Sequence, residues 1–182
     1  MDELHPNVFN GARAMVFVDG ENLAMRYEAM LGGVPPETRM QGWFRPGVAV
    51  WEQRLNPTIS NATSIIRKNY FTSEQGTDDK RTETVDWLKS RGFERAHVFR
   101  RDKNGRSKQV DISLSVEMLV HATRRHYDIA VLVAGDEDYV PLVRAVQAEG
   151  AKVHVWFVSN GLAPKLRREA DYFVNLDGYF GV

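Results

Sequence analysis

Four acidic residues stand at or just beyond apolar runs: Asp19 closes MVFVD, Asp111 lies in KQVDISLSVEML, and Asp136 and Asp138 lie in VLVAGDEDYVPLV. If those runs belong to neighbouring parallel strands and the elements beside them, the carboxylates converge at one sheet edge. Carboxylates are hard oxygen ligands, so this set makes a site for Mg²⁺ or Mn²⁺. A cation there polarises a phosphoryl oxygen, lowers the pKa of a water and neutralises charge on a leaving oxygen, which reads as phosphodiester chemistry.

The elements that position these acids are legible in the same segments. MVFVD is short, apolar and rich in Val, and it stops at an acid and Gly20, as a buried strand ending in a tight loop does. IAVLVAGD repeats the design and ends in Gly135 and Asp136. In open α/β sheets ligands bind outside the carboxyl ends of the strands. Each residue also has a structural use: Asp19 and Asn22 suit helix N-caps, and Asp111 in a first helical turn suits the helix dipole. Asn22 can instead orient a water or phosphate through its amide. Along the helix expected at Val110–Tyr127, Ile112, Val116, Leu119 and Val120 recur at helical spacing and face the sheet, with Leu114 and Met118 on an adjoining strip. Glu117, about 120° round that helix from Asp111, reaches the site only through its longer side chain.

Over the whole chain strands alternate with helices. Strands are expected at 14–19, 65–71, 97–101, 129–134, 153–158 and 173–176. Helices are expected at 23–30, 48–55, 79–91, 110–127, 137–149 and 162–169. This alternation predicts an α/β fold with a mainly parallel sheet covered by helices on both faces. With 182 residues the chain reads as one domain over 14–182 after an N-terminal tail at 1–13. A Gly/Pro-rich insert at about 31–47 reads as a loop within it.

Composition removes several classes. Hydrophobic content is 43% and charged content 26%, with no cysteine. Disulfides, thiol nucleophiles and Cys-ligated zinc are therefore excluded, and any metal is held by oxygen or imidazole. No run approaches a bilayer span and the N-terminus lacks a signal-peptide pattern, so the expectation is a cytoplasmic protein without a membrane partner. With 24 basic and 24 acidic residues there is no overall positive field. Any contact with nucleic-acid phosphate must come from local patches, and the clearest is RRDKNGRSKQ, where Arg106 and Lys108 are the expected backbone-phosphate contacts. Lys165, Arg167 and Arg168 suit the end of a helix.

His97, His121, His126 and His154 have no zinc spacing. Trp43, Phe44 and Trp51 suit either base stacking or a packed lid. Trp156, Phe157, Tyr172 and Phe173 are expected in the core; an exposed aromatic group there would support a homodimer. No Gly-rich phosphate loop is present.

VDGENL (18–23), KQVDISLSVEML (108–119) and AGDEDYVPLV (134–143), in this order, resemble the NYN domain, a branch of the PIN-like metal-dependent nucleases. The resemblance implies a Rossmann-like PIN fold, one or two Mg²⁺ or Mn²⁺ ions, and cleavage of RNA or another nucleic acid. On it, Asp19, Asp111, Asp136 and Asp138 match the family's acidic positions and Asn22 its first-motif Asn. Ala134 stands where the family often has a small hydroxyl residue, and Glu117 where it often has Asp.

The leading expectation is a metal-dependent endoribonuclease acting on single-stranded or structured RNA. The alternative is a nucleic-acid-binding regulatory module that keeps the pocket and turns over poorly. A further alternative is another enzyme with strand-end acids, such as a topoisomerase-primase-like nuclease or an Asp-nucleophile phosphatase. That phosphatase would carry a second Asp two residues after the first, where this chain has Glu21.

Overall fold

Alternation along two apolar runs sets the layers. In β1 (Ala12–Asp19) Val16 and Val18 enter one buried cluster while Met15 and Phe17 enter another. In β6 (Ile129–Val133) Val131 and Val133 join the first cluster, and Ala130 and Leu132 the second. A strand that buries both sides is central to a covered parallel sheet. The computed structural model describes residues 11–33, 42–52, 55, 62–102 and 107–181.

In chain order the elements are β1, α1 (Gly20–Leu31), β2 (Gly42–Arg45), β3 (Ala49–Glu52), β4 (Thr63–Glu74), α2 (Asp78–Lys89), β5 (Arg95–Arg100) and α3 (Lys108–Thr123). There follow β6, a 3₁₀ turn (Glu137–Tyr139), α4 (Val140–Ala148), β7 (Lys152–Phe157), α5 (Pro164–Glu169), β8 (Tyr172–Asn175) and α6 (Asp177–Phe180). Among the described residues six parallel strands form one sheet in the order β5-β4-β1-β6-β7-β8. The chain builds outward from β1 through β4 and β5, then returns to β6 on the other side. The order therefore switches between β1 and β6, where ligands of such sheets bind. Leu23, Tyr27, Leu88 and the β2–β3 hairpin cover one face; Leu114, Met118, Val143 and Leu166 cover the other.

Within the 48–55 segment, expected as a helix, Ala49–Glu52 form strand β3 instead, paired antiparallel with β2 from inside the insert. Its β-branched and aromatic residues pair across strands, Trp43 with Trp51 and Phe44 with Val50. Tyr70 fastens it to the sheet, donating its hydroxyl to the Val50 carbonyl and accepting the Val50 N–H, both at 3.1 Å. Trp51 packs edge-on against Phe93 and Phe44 against Tyr27, so these aromatics are packing groups. Residues 34–41 of the insert lie outside the described residues.

A second difference concerns α3. Val110, Leu114, Met118 and Ala122 are buried, whereas Ile112, Val116 and Val120 are exposed. Residues 112 and 114 point about 200° apart on a helix, so this helix carries two apolar stripes on opposite faces and periodicity alone could not choose between them. The helix expected from Glu137 begins as the 3₁₀ turn; α4 follows with Pro141 in its first turn, where a missing N–H is harmless. Trp156 and Phe157 are core, while Tyr172 is exposed on the edge strand β8.

Gly20 lets the sheet close beside the switch point, because a Cβ there would lie 2.0 Å from Cε1 of Tyr70. Gly20→Ala is expected to destabilise the fold by about 1–3 kcal/mol through overpacking. A urea-denaturation midpoint equal to wild type would show that the Tyr70 ring yields.

Candidate functional site

Because β1 ends at Asp19 and α1 begins at Gly20, one carboxylate serves the first helical turn and the crevice together. Asp19 Oδ1 accepts the Asn22 backbone N–H at 2.9 Å, an N-cap bond. Its Oδ2 accepts the Tyr139 hydroxyl at 2.9 Å. The same hydroxyl lies 3.1 Å from Oδ1 of Asp111, in the first turn of α3. A phenol has one proton, so Tyr139 donates to one carboxylate at a time, and satisfying both contacts together requires a proton on a carboxyl.

The electrostatics agree. Burial above all, with the nearby charges of Asp111 and Glu21, pushes the Asp19 carboxyl up to about 7 against the opposing bonds from Asn22 and Tyr139. Burial and the charges of Asp19 and Asp111 raise the Tyr139 phenol well above its ordinary value, so it remains an O–H donor.

The second strand end is built in the same way. Asp136 caps the 3₁₀ turn, its Oδ1 accepting the Asp138 N–H at 3.1 Å. Asn22 links the two strand ends, its Oδ1 accepting the Gly135 N–H at 3.0 Å. Its amide N–H groups are what it has left to offer a ligand. Gly135 admits no side chain: a Cβ would lie 2.3 Å from Cε1 of Phe157 and 2.6 Å from the Gly161 carbonyl oxygen.

Asp19, Glu21, Asn22, Met25, Ser107, Asp111 and Asp136 line a cavity of about 40 Å³. A wider groove of about 230 Å³ shares Asp111 and Asp136 and adds Ile112, Ser115, Val116, Asp138 and Tyr139. Thus Asp19, Asn22, Asp111 and Asp136 share one cavity, while Asp138 lines the adjoining groove. Glu117 lines neither; its Oε2 lies 3.1 Å from Nε2 of His97, and that imidazole lowers the Glu117 carboxyl below its ordinary value. The longer side chain expected to reach the acids is drawn to β5 instead. Arg106 and the side chain of Lys108 lie outside the described residues.

Sequence reasoning missed two contributors. Tyr139 reads as the first apolar residue after the acids, yet its hydroxyl joins two of them. Glu21 is only 6% exposed and lines the cavity; its Oε2 accepts the Ser73 hydroxyl at 2.7 Å, and Arg101 Nε lies 3.8 Å from its Oε1. The available signal was an acid in the first turn beside Asp19.

Among the described residues no three carboxylates or imidazoles close into a cage around a common point. The donor set fits an open site: it is all oxygen, and Asp19 and Asp111 both approach one hydroxyl oxygen. Mg²⁺ keeps several waters and needs only one or two direct carboxylates. Asp19, Asp111, Asp136 and Glu21 are the cavity carboxylates that would hold such an ion.

Fold and site together define a parallel α/β protein with an acidic crevice at the switch point of its sheet. The chain belongs to the NYN domain family, whose model matches residues 13–177, and that family is part of the PIN-like nuclease superfamily. A solved structure of a protein of unknown function from Vibrio parahaemolyticus is similar over 100% of both chains, with a TM-score of 0.66 and 19% identity. At that identity the likeness shows the fold. No curated protein matches the chain. Among the described residues no helix is long and apolar enough to cross a membrane.

With its folded pKa raised, Asp19 holds a proton that the unfolded chain has already released as pH climbs above about 4. The contribution of Asp19 to stability is therefore full below about 4, falls as pH rises towards about 7 and is absent beyond. In metal-free urea titrations, wild type is expected to lose a few kcal/mol relative to Asp19→Asn over that interval. A constant difference across the range would reject a strained, buried carboxylate.

Proposed function

We infer that this chain is a metal-dependent endonuclease hydrolysing phosphodiester bonds, with RNA as the favoured substrate. The observation that carries the reading is the meeting of Asp19 and Asp111, from elements far apart in sequence, on the Tyr139 hydroxyl, with Asp136 in the same cavity. Crowded carboxylates of this kind are relieved by a cation, and membership of the NYN family supports a nuclease.

A bound Mg²⁺ or Mn²⁺ supplies Lewis acidity and a water of lowered pKa. The chain supplies the rest. Asp19 and Asp111 present oxygens at a separation fixed by the strand and helix that carry them. Tyr139 orients whichever of the two takes its single O–H, and its oxygen keeps the other close by. Asp136, with Asp138 beside it in the groove, takes hydrogen bonds from the attacking water. The Asn22–Gly135 bond keeps the two strand ends in register, and Asn22 offers its amide donors to a phosphate oxygen. Lys108 opens α3 three residues before Asp111, and with Arg106 it contacts backbone phosphates, making binding salt-dependent without specifying sequence. The catalytic unit is one domain over 14–182, acting in the cytoplasm.

The test is cleavage of labelled single-stranded RNA and DNA with Mn²⁺, Mg²⁺ or EDTA by wild type and Asp136→Asn. Metal-dependent cleavage that falls roughly 100-fold or more in the variant is expected, with RNA cleaved faster than DNA. Binding without cleavage by either protein would identify a regulatory nucleic-acid-binding module instead.

A further inference from the structure

The apolar stripe that α3 leaves outside the core borders the acidic site. Ile112 and Val116, one turn apart, are 62% and 57% exposed. With Ser115 and Tyr139 they form the less polar wall of the 230 Å³ groove, whose other lining residues are Asp111, Asp136 and Asp138. A groove with an apolar wall and an acidic floor suits a ligand that joins a flat apolar group to a phosphate, the phosphate held at the carboxylates through a cation.

Charge decides against a second copy of this chain. A two-fold contact through Ile112 and Val116 would set Asp111, Asp136 and Asp138 of both copies face to face, like charge on like. The face of a nucleobase carries no such penalty. A base inside a duplex is stacked and paired, so it reaches a side wall only when unpaired.

We propose that the groove between α3 and Tyr139 is a subsite for one unpaired nucleobase flanking the phosphate at the acidic cavity. The proposal rests on the nuclease reading above. Ile112 and Val116 form the base-contacting wall, and their β-branched side chains are stiff at χ1 and hold its shape.

The experiment compares wild type with Ile112→Ser, Val116→Ser and the double variant, after thermal melts show that these exposed substitutions leave the fold intact. Substrates are one single-stranded sequence, its duplex, and the same strand with an abasic unit placed at successive positions. Cleavage is followed with Mn²⁺, and binding by fluorescence anisotropy with Ca²⁺. The single strand is expected to be cleaved at least roughly tenfold faster than the duplex. The double variant should raise KM roughly tenfold, more than it lowers kcat. An abasic unit beside the scissile bond should raise KM similarly in wild type and have little further effect in the double variant.

Cleavage with KM unchanged in the Ser variants, or with equal abasic penalties in wild type and variant, overturns the subsite and leaves the nuclease reading standing. Binding that weakens in the Ser variants, without cleavage by any protein, supports the groove and overturns the catalytic reading. Neither binding nor cleavage overturns both. A wild-type dimer in light scattering that Val116→Glu splits overturns the proposal in favour of a second copy.

Discussion

A carboxylate buried at the end of a central strand is the constraint on which the site depends. Asp19 is 3% exposed, with the charges of Asp111 and Glu21 nearby. A buried ionisable group is tolerated only when partners meet it. Here they come from two places: the Asn22 N–H at the start of α1 and the Tyr139 hydroxyl after β6, for which Asp111 at the start of α3 competes. Satisfying one carboxylate thus fixes the relative positions of segments more than a hundred residues apart. The partial positive charge at the N-terminus of α1 acts in the same direction.

Capping and chemistry are one arrangement at this crevice. Asp19 and Asp136 each use Oδ1 as a local cap, for α1 and for the 3₁₀ turn respectively. A capped carboxylate still has lone pairs to offer, and capping fixes the direction in which it offers them. Structural and functional explanations of a strand-end Asp therefore describe the same bond from two sides. The neighbouring glycines contribute by what they lack: Tyr70 closes over Gly20, and Phe157 closes over Gly135. Both contacts bring bulk up to the strand ends without displacing the acids.

What was legible in the sequence follows from how locally each feature is determined. β1 and β6 declare themselves because a strand buried on both faces is apolar throughout, and the acids and glycines that end them mark the crevice. Asp111 was placed by the start of a helix that its own turn favours. The face of α3 was not legible, since two opposed stripes satisfy the same period and only the packing of β1 and β4 decides between them. β3 was misread because four residues of strand and one turn of helix carry too few apolar positions to distinguish the two periods; its pairing with β2 is tertiary information. The roles of Tyr139 and Glu21 depend on cross-chain contacts to Asp19, Asp111 and Ser73 that no spacing encodes.

The two departures from the family pattern bear on the same constraint. Ala134 is fully buried within the apolar cluster that also holds Phe17, Leu142 and Val155. A hydroxyl in that setting would require a polar partner, and the neighbouring Gly135 N–H is already taken by Asn22. The tie between the ends of β1 and β6 therefore runs through Asn22 without help from position 134. Glu117 sits two α3 turns from the mouth of the cavity, and its carboxylate is matched by His97, whose ring stacks on Phe71 of β4. That pairing fastens α3 to the sheet. The rotation of α3, which places Asp111 at the cavity and leaves Ile112 and Val116 outside, is set by the burial of Val110, Leu114, Met118 and Ala122 against the sheet. The departure at 117 thus lies away from the cavity, whose strand-end acids Asp19 and Asp136 are held by bonds of their own.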